Sequence, residues 1–78
     1  MVGKQLPTLS GPKICKILAK DGFYRAGDSG NHFKLKNNSD PVRIVIVPNH
    51  CEVARATLNS ILKQAKLSRA EFYELMKK

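Results

Sequence analysis

The chain predicts an α+β domain made of a helix, a three-stranded antiparallel sheet and a second helix with a short C-terminal helical extension. Three observations carry this. Apolar residues recur at helical spacing near both ends, whereas the stretch from residue 23 to residue 47 alternates or runs continuously apolar. Clusters of Gly, Asn, Asp, Ser and Pro cut that stretch into three strand-length pieces. The length of 78 residues allows one domain with one small core. Helices gathered on one side of such a sheet leave its other face free.

Residues 1–9 carry Pro7 and show no periodicity, so they read as an extended lead-in to a single domain over residues 10–78. Ser10 offers an N-cap hydroxyl, Pro12 suits the first turn, and Ile14, Ile17 and Leu18 fall on one helical face. Lys13, Lys16 and Lys20 fall on the opposite, solvated side, and Asp21-Gly22 ends the helix. Phe23-Tyr24-Arg25-Ala26 reads as a short strand, Gly27-Asp28-Ser29-Gly30 as a turn, and His32 to Lys36 as a second strand. A further turn at Asn37-Asn38-Ser39-Asp40-Pro41 leads into Val42-Arg43-Ile44-Val45-Ile46-Val47. Five of these six residues are β-branched, which predicts the central or best-covered strand, stopped by Pro48. After a loop over residues 48–56, Thr57 is expected to cap a helix with Leu58, Ile61, Leu62 and Ala65 on its apolar face. A break at Lys66-Leu67 follows. Ser68 and Glu71 then have capping-box spacing ahead of the stripe Phe72, Leu75 and Met76.

Fourteen Lys and Arg against six Asp and Glu give a formal charge of +8, which points to a large anionic partner, nucleic acid first among them. No window reaches the roughly 18 apolar residues of a membrane span. The run Met1-Val2-Gly3-Lys4-Gln5-Leu6-Pro7 has no apolar signal core, so a cytoplasmic protein without membrane contact is expected. Cys15 and Cys51 form no CxxC pair and read as reduced, partly buried residues. His50-Cys51 with His32 lacks metal-ligand spacing, and neither a metal nor another cofactor is expected.

Strand alternation puts His32, Lys34 and Lys36 on one face and Phe33 and Leu35 on the other. Burying Phe33 and Leu35 against the helices projects His32, Lys34 and Lys36 together from the open face. An imidazole moves protons near neutral pH, and ammonium groups hold a phosphate and stabilise developing negative charge. The plain alternative is a surface histidine among solubilising lysines. Against it stands the preceding hairpin, where Gly30 lets backbone N–H groups approach a phosphate and Asn31 adjoins His32. His50, just after the third strand, is either a second proton carrier or a loop residue. No base-reading pocket or aromatic stacking platform is legible, so little base preference is expected.

Several segments together resemble the HicA (YcfA-like) mRNA interferase toxins of toxin–antitoxin pairs. They are Ser10 to Lys20 ending in Gly22-Phe23, then Gly30-Asn31-His32, Val47-Pro48-Asn49-His50, and Thr57-Leu58-Asn59-Ser60-Ile61-Leu62-Lys63-Gln64-Ala65. Their order and spacing cover about residues 10–76. The resemblance implies a fold like a double-stranded-RNA-binding domain, an endoribonuclease that cuts mRNA with the hairpin histidine, here His32, as its essential residue, and a HicB-type antitoxin covering that face. Two departures stand out: Asn31 where the family often has Ser, and Ala56 where it often has Gly. The expected activity is metal-independent cleavage of mainly single-stranded mRNA, with His32 as general acid or base and Lys34, Lys36, Gly30 and Asn31 at the phosphate. The alternatives are a non-catalytic double-stranded-RNA-binding module and a subunit that binds only a protein partner.

Overall fold

The computed structural model describes residues 8–78. Its elements are α1 (Gly11–Ala19), β1 (Tyr24–Ser29), β2 (His32–Asn37), β3 (Arg43–Pro48), α2 (Arg55–Ala65) and α3 (Arg69–Lys77). The strands form one antiparallel sheet in the order β1-β2-β3. This is the α+β order of a double-stranded-RNA-binding domain followed by one extra helix. Most of the lead-in expected over residues 1–9 lies outside the described residues. At its end, Leu9 is already docked, bridging antiparallel to Val53.

Each helix starts or stops for a local reason. Ser10 caps α1 by accepting a hydrogen bond from the Lys13 N–H, and Pro12 occupies the first turn. Gly22, just past the helix, takes a φ of +97° that an L side chain rarely adopts. Ser68 and Glu71 form the reciprocal capping box of α3 at 3.0 and 2.8 Å. Thr57 does not cap α2. The helix begins two residues earlier behind Ala54, which makes no side-chain cap bond, because the bridge from Val53 to Leu9 fixes the chain just ahead of it. Lys66 closes α2 in the left-handed conformation, and the Leu67 N–H reaches back to the Leu62 carbonyl.

One core lies between the helices and the inner sheet face. Ile14, Ile17 and Leu18 of α1 meet Leu35, Val45 and Val47 of the sheet, with Leu58, Ile61, Leu62 and Ala65 of α2 and Phe72 and Leu75 of α3. The expectation that residues 42–47 form the central strand is overturned, since β2 is central and β3 is an edge. Of its apolar residues only Val45 and Val47 are buried against the helices; Ile44 and Ile46 remain 46% and 41% exposed on the open face, so apolarity on both sides of the strand is not coverage on both sides. The edge is blunted. Gln64 Oε1 accepts from the Ile46 N–H at 2.9 Å, and Pro48, two residues on, has no N–H to offer.

The first hairpin also differs from expectation. Gly27, Asp28 and Ser29 belong to β1, and the turn is the two residues Gly30-Asn31, with a positive φ of 58° at Gly30 as a type II′ turn requires. A bulge at Ala26 shifts the register between Arg25 and Gly27. Asn37, expected in the second turn, is instead the buried last residue of β2, and Pro48 lies within β3. Cys15 is half-buried as expected, but Cys51 is exposed.

Candidate nucleic-acid interface and reaction site

The pairing of the strands builds the open face in three rows. Tyr24, Lys36 and Ile44 lie side by side; then Gly27, Lys34 and Ile46; then His32 at the hairpin end, paired through the backbone with Pro48, which is itself buried. Directly opposed residues on antiparallel strands share a face, so the first two rows are continuous across the sheet. None of these positions is acidic. His32 and Lys34 are exposed and Lys36 is half-buried, so the imidazole and both ammonium groups stand together on the open side as alternation predicted.

The hairpin end is held from behind. The Asn49 N–H donates to the Asn31 carbonyl, carrying the β2–β3 ladder past the ends of both strands. Gly11 at the start of α1 donates its N–H to the His50 carbonyl at 2.9 Å, and a Cβ placed on Gly11 would lie 2.1 Å from the Pro48 carbonyl oxygen. Only glycine lets α1 approach that backbone. His50 therefore follows a residue bonded to Asn31, and both exposed imidazoles sit at the same end of the sheet. Neither imidazole makes a side-chain hydrogen bond among the described residues. Gly30 and Asn31 are exposed at the tip, and a Cβ on Gly30 would meet nothing within 4 Å, so its glycine answers to backbone conformation and leaves the tip open.

Two carboxylates near the sheet are turned away from this face. Asp28 is on the inner side of β1, 3.6 Å from Arg25, and Asp21 pairs with Arg43 at 3.1 Å. A cleft of about 480 Å³ opens between α1 and the inner side of β1 and β2, lined by Cys15, Lys16, Phe23, Arg25 and Phe33. It lies across the sheet from His32, and Tyr24 at the start of β1 also borders it. Burial pushes the Cys15 thiol above its ordinary value, which leaves it a poor nucleophile. Among the described residues no three His, Cys, Asp or Glu side chains gather as a metal site would need. No helix there is long and apolar enough to cross a membrane.

Besides the exposed Ile44 and Ile46, an aromatic open-face residue escaped the sequence reading. Tyr24 is 44% exposed beside Lys36, its hydroxyl donating to Asn38 Oδ1 at 3.3 Å. Its signal was the parity of β1 counted back from a two-residue turn, corrected for a bulge that composition does not reveal.

The family described as HicA toxin of bacterial toxin–antitoxin matches residues 11–67, from the first residue of α1 to the residue before the Ser68 cap. Neither a curated relative nor a solved structure matches the chain. The family match spans well over half of the sequence and includes the whole sheet, both histidines and α2: the chain belongs to the HicA toxins, the toxin half of a bacterial toxin–antitoxin system whose other half is a cognate antitoxin.

Proposed function

We propose that this toxin is an endoribonuclease that cuts single-stranded mRNA in the cytoplasm on the open sheet face, with His32 as the proton-transfer group. The observation that carries the reading is a set of open-face strand positions without an acidic residue, in which an exposed imidazole shares a strand face with Lys34 and Lys36 in a HicA-family chain. In the reaction, the 2′-oxygen of one nucleotide attacks its own 3′-phosphate. The O2′–P bond forms, the P–O5′ bond breaks, and the products are a 2′,3′-cyclic phosphate and a 5′-hydroxyl. His32 accepts the 2′-OH proton. The O5′ takes a proton from His50 in its imidazolium form or from water. Lys34 and Lys36 offset the charge gathering on the phosphoryl oxygens, and the Gly30-Asn31 tip lets the chain approach without a pocket. The 2′-hydroxyl as nucleophile restricts the chemistry to RNA.

A HicB-type antitoxin fits this reading by covering the same face, since the lysines that hold RNA would also hold an acidic partner surface. The test is purified wild type against His32→Ala on single-stranded RNA. The variant is expected to fold normally and to lose about 10²- to 10⁴-fold in cleavage rate. Cleavage by wild type should persist in EDTA. Equal rates for a folded His32→Ala would sink the assignment.

A further inference from the structure

The bulge in β1 decides which way Tyr24 faces. From Ser29↔His32 to Gly27↔Lys34 the paired numbers step regularly, and continuing that step would set Arg25 beside Lys36 and Tyr24 beside Asn37. Asn37 is buried on the inner side, so a regular hairpin would turn Tyr24 toward the core. With Ala26 inserted as the extra residue, Tyr24 pairs with Lys36 and Arg25 with Leu35. Bulges commonly re-aim a side chain in this way. The result places an aromatic ring on the same open surface as the imidazole, flanked across Lys36 by the exposed Ile44.

We propose that Tyr24 is a base-stacking position, on which a nucleobase of single-stranded RNA lies while the phosphate to be cut sits at His32. This rests on the reading of the open face as the RNA surface and names a subsite within it. Three features favour a nucleic acid as occupant over an apolar protein segment. Lys34 and Lys36 stand between the apolar groups rather than around them, the rows contain no carboxylate, and Gly27 leaves open space beside Lys34 for a backbone to pass. Successive rows are roughly 7 Å apart, twice the rise of a strand residue. That is close to the step of an extended single strand, so a chain running along β2 meets His32, Lys34 and the Tyr24 row in turn. The Asn38 contact holds the hydroxyl end, and Tyr24 is exposed beside Lys36.

Binding of a 2′-O-methyl RNA oligonucleotide, which lacks the attacking hydroxyl, separates this subsite from catalysis. Tyr24→Ala should weaken its Kd by about 5- to 100-fold, the range for losing one stacked base, while Tyr24→Phe stays within about twofold. The slope of affinity against salt should not change, since no phosphate contact is lost. Placing an abasic nucleotide at successive positions should abolish the difference between wild type and Tyr24→Ala at one position, a few nucleotides from the scissile one. A merely structural role for Tyr24 would give no such positional dependence. The proposal is overturned if folded Tyr24→Ala binds as tightly as wild type, if Phe is as weak as Ala, if wild type does not bind the oligonucleotide, or if Tyr24→Ala weakens only antitoxin binding. Tyr24-dependent binding without cleavage of ordinary RNA would overturn the catalytic reading alone. Normal His32-dependent cleavage with unchanged Tyr24→Ala affinity would overturn the subsite alone.

Discussion

Arg43 shows how one residue can join parts of the chain that composition keeps apart. Its Nε donates to Ser39 Oγ at 2.9 Å, its Nη1 donates to the Ala65 carbonyl at the end of α2 at 2.6 Å, and its Nη2 pairs with Asp21 Oδ2 at 3.1 Å. The guanidinium also lies 5.0 Å from the centre of the Phe23 ring. A planar fork serves these directions at once, and a cation suits the unpaired carbonyls at a helix C-terminus. Beside it, the Asn37 amide donates to the Asp21 carbonyl and accepts from the Ser39 N–H, which locks the end of β2 to the exit of α1. Arg43→Ala should cost about 2–3 kcal/mol, because the change removes charge-assisted hydrogen bonds and leaves a half-buried carboxylate without its cation. Arg43→Lys should recover less than half of that in urea unfolding, since an ammonium cannot reproduce the fork. In the sequence Arg43 reads only as the one polar interruption of an apolar strand. Its partners are distant in the chain, and no periodicity encodes a contact between a strand start and the last carbonyl of a helix.

Among the elements, those governed by local chemistry were legible and those governed by pairing were not. The capping box of α3 was readable from Ser68 and Glu71 alone because both partners lie within one turn. The Glu71 carboxyl is held below its ordinary value of 4.5, first by the Ser68 N–H and then by the Ser68 hydroxyl. A depressed carboxylate contributes its stabilisation above 4.5 and loses it as the pH falls through the lower folded value. Glu71→Gln should therefore melt below wild type at neutral pH and converge with it as the pH falls well below 4.5, checked by thermal unfolding across that range. The strand face of His32, Lys34 and Lys36 was equally legible, since alternation needs only that Phe33 and Leu35 be buried. Strand order, the Ala26 bulge and the true start of α2 were not. They depend on what lies beside each segment: Leu9 against Val53, Gly11 against Pro48, and Gln64 against the edge of β3.

At the scale of the whole molecule, the formal charge of +8 is unevenly distributed. Four of the six acids are engaged away from the open face: Asp21 with Arg43, Asp28 with Arg25, Glu74 with Lys77, and Glu71 in its cap. Lys34 and Lys36 stand among the open-face rows without an acid, whereas Lys13 and Lys16 lie exposed on α1, across the sheet. Charges separated by more than a screening length of about 8 Å act almost independently at physiological salt. If the two groups of lysines contributed through net charge alone, removing either pair would weaken RNA binding equally. If the open face is the interface, the two pairs differ in kind, because only a lysine that neutralises a phosphate releases a counterion. For a single strand each such contact contributes about 0.7 to the slope of log affinity against log salt. Lys34→Gln with Lys36→Gln should therefore lower the slope by about 1.4, with a large loss of affinity at low salt that shrinks as salt rises. Lys13→Gln with Lys16→Gln removes the same formal charge and should leave the slope unchanged. Titrating a 2′-O-methyl oligonucleotide against both double variants over a range of salt decides the matter, and equal slopes for the two would mean that RNA is drawn by diffuse charge and not held on the face that carries His32.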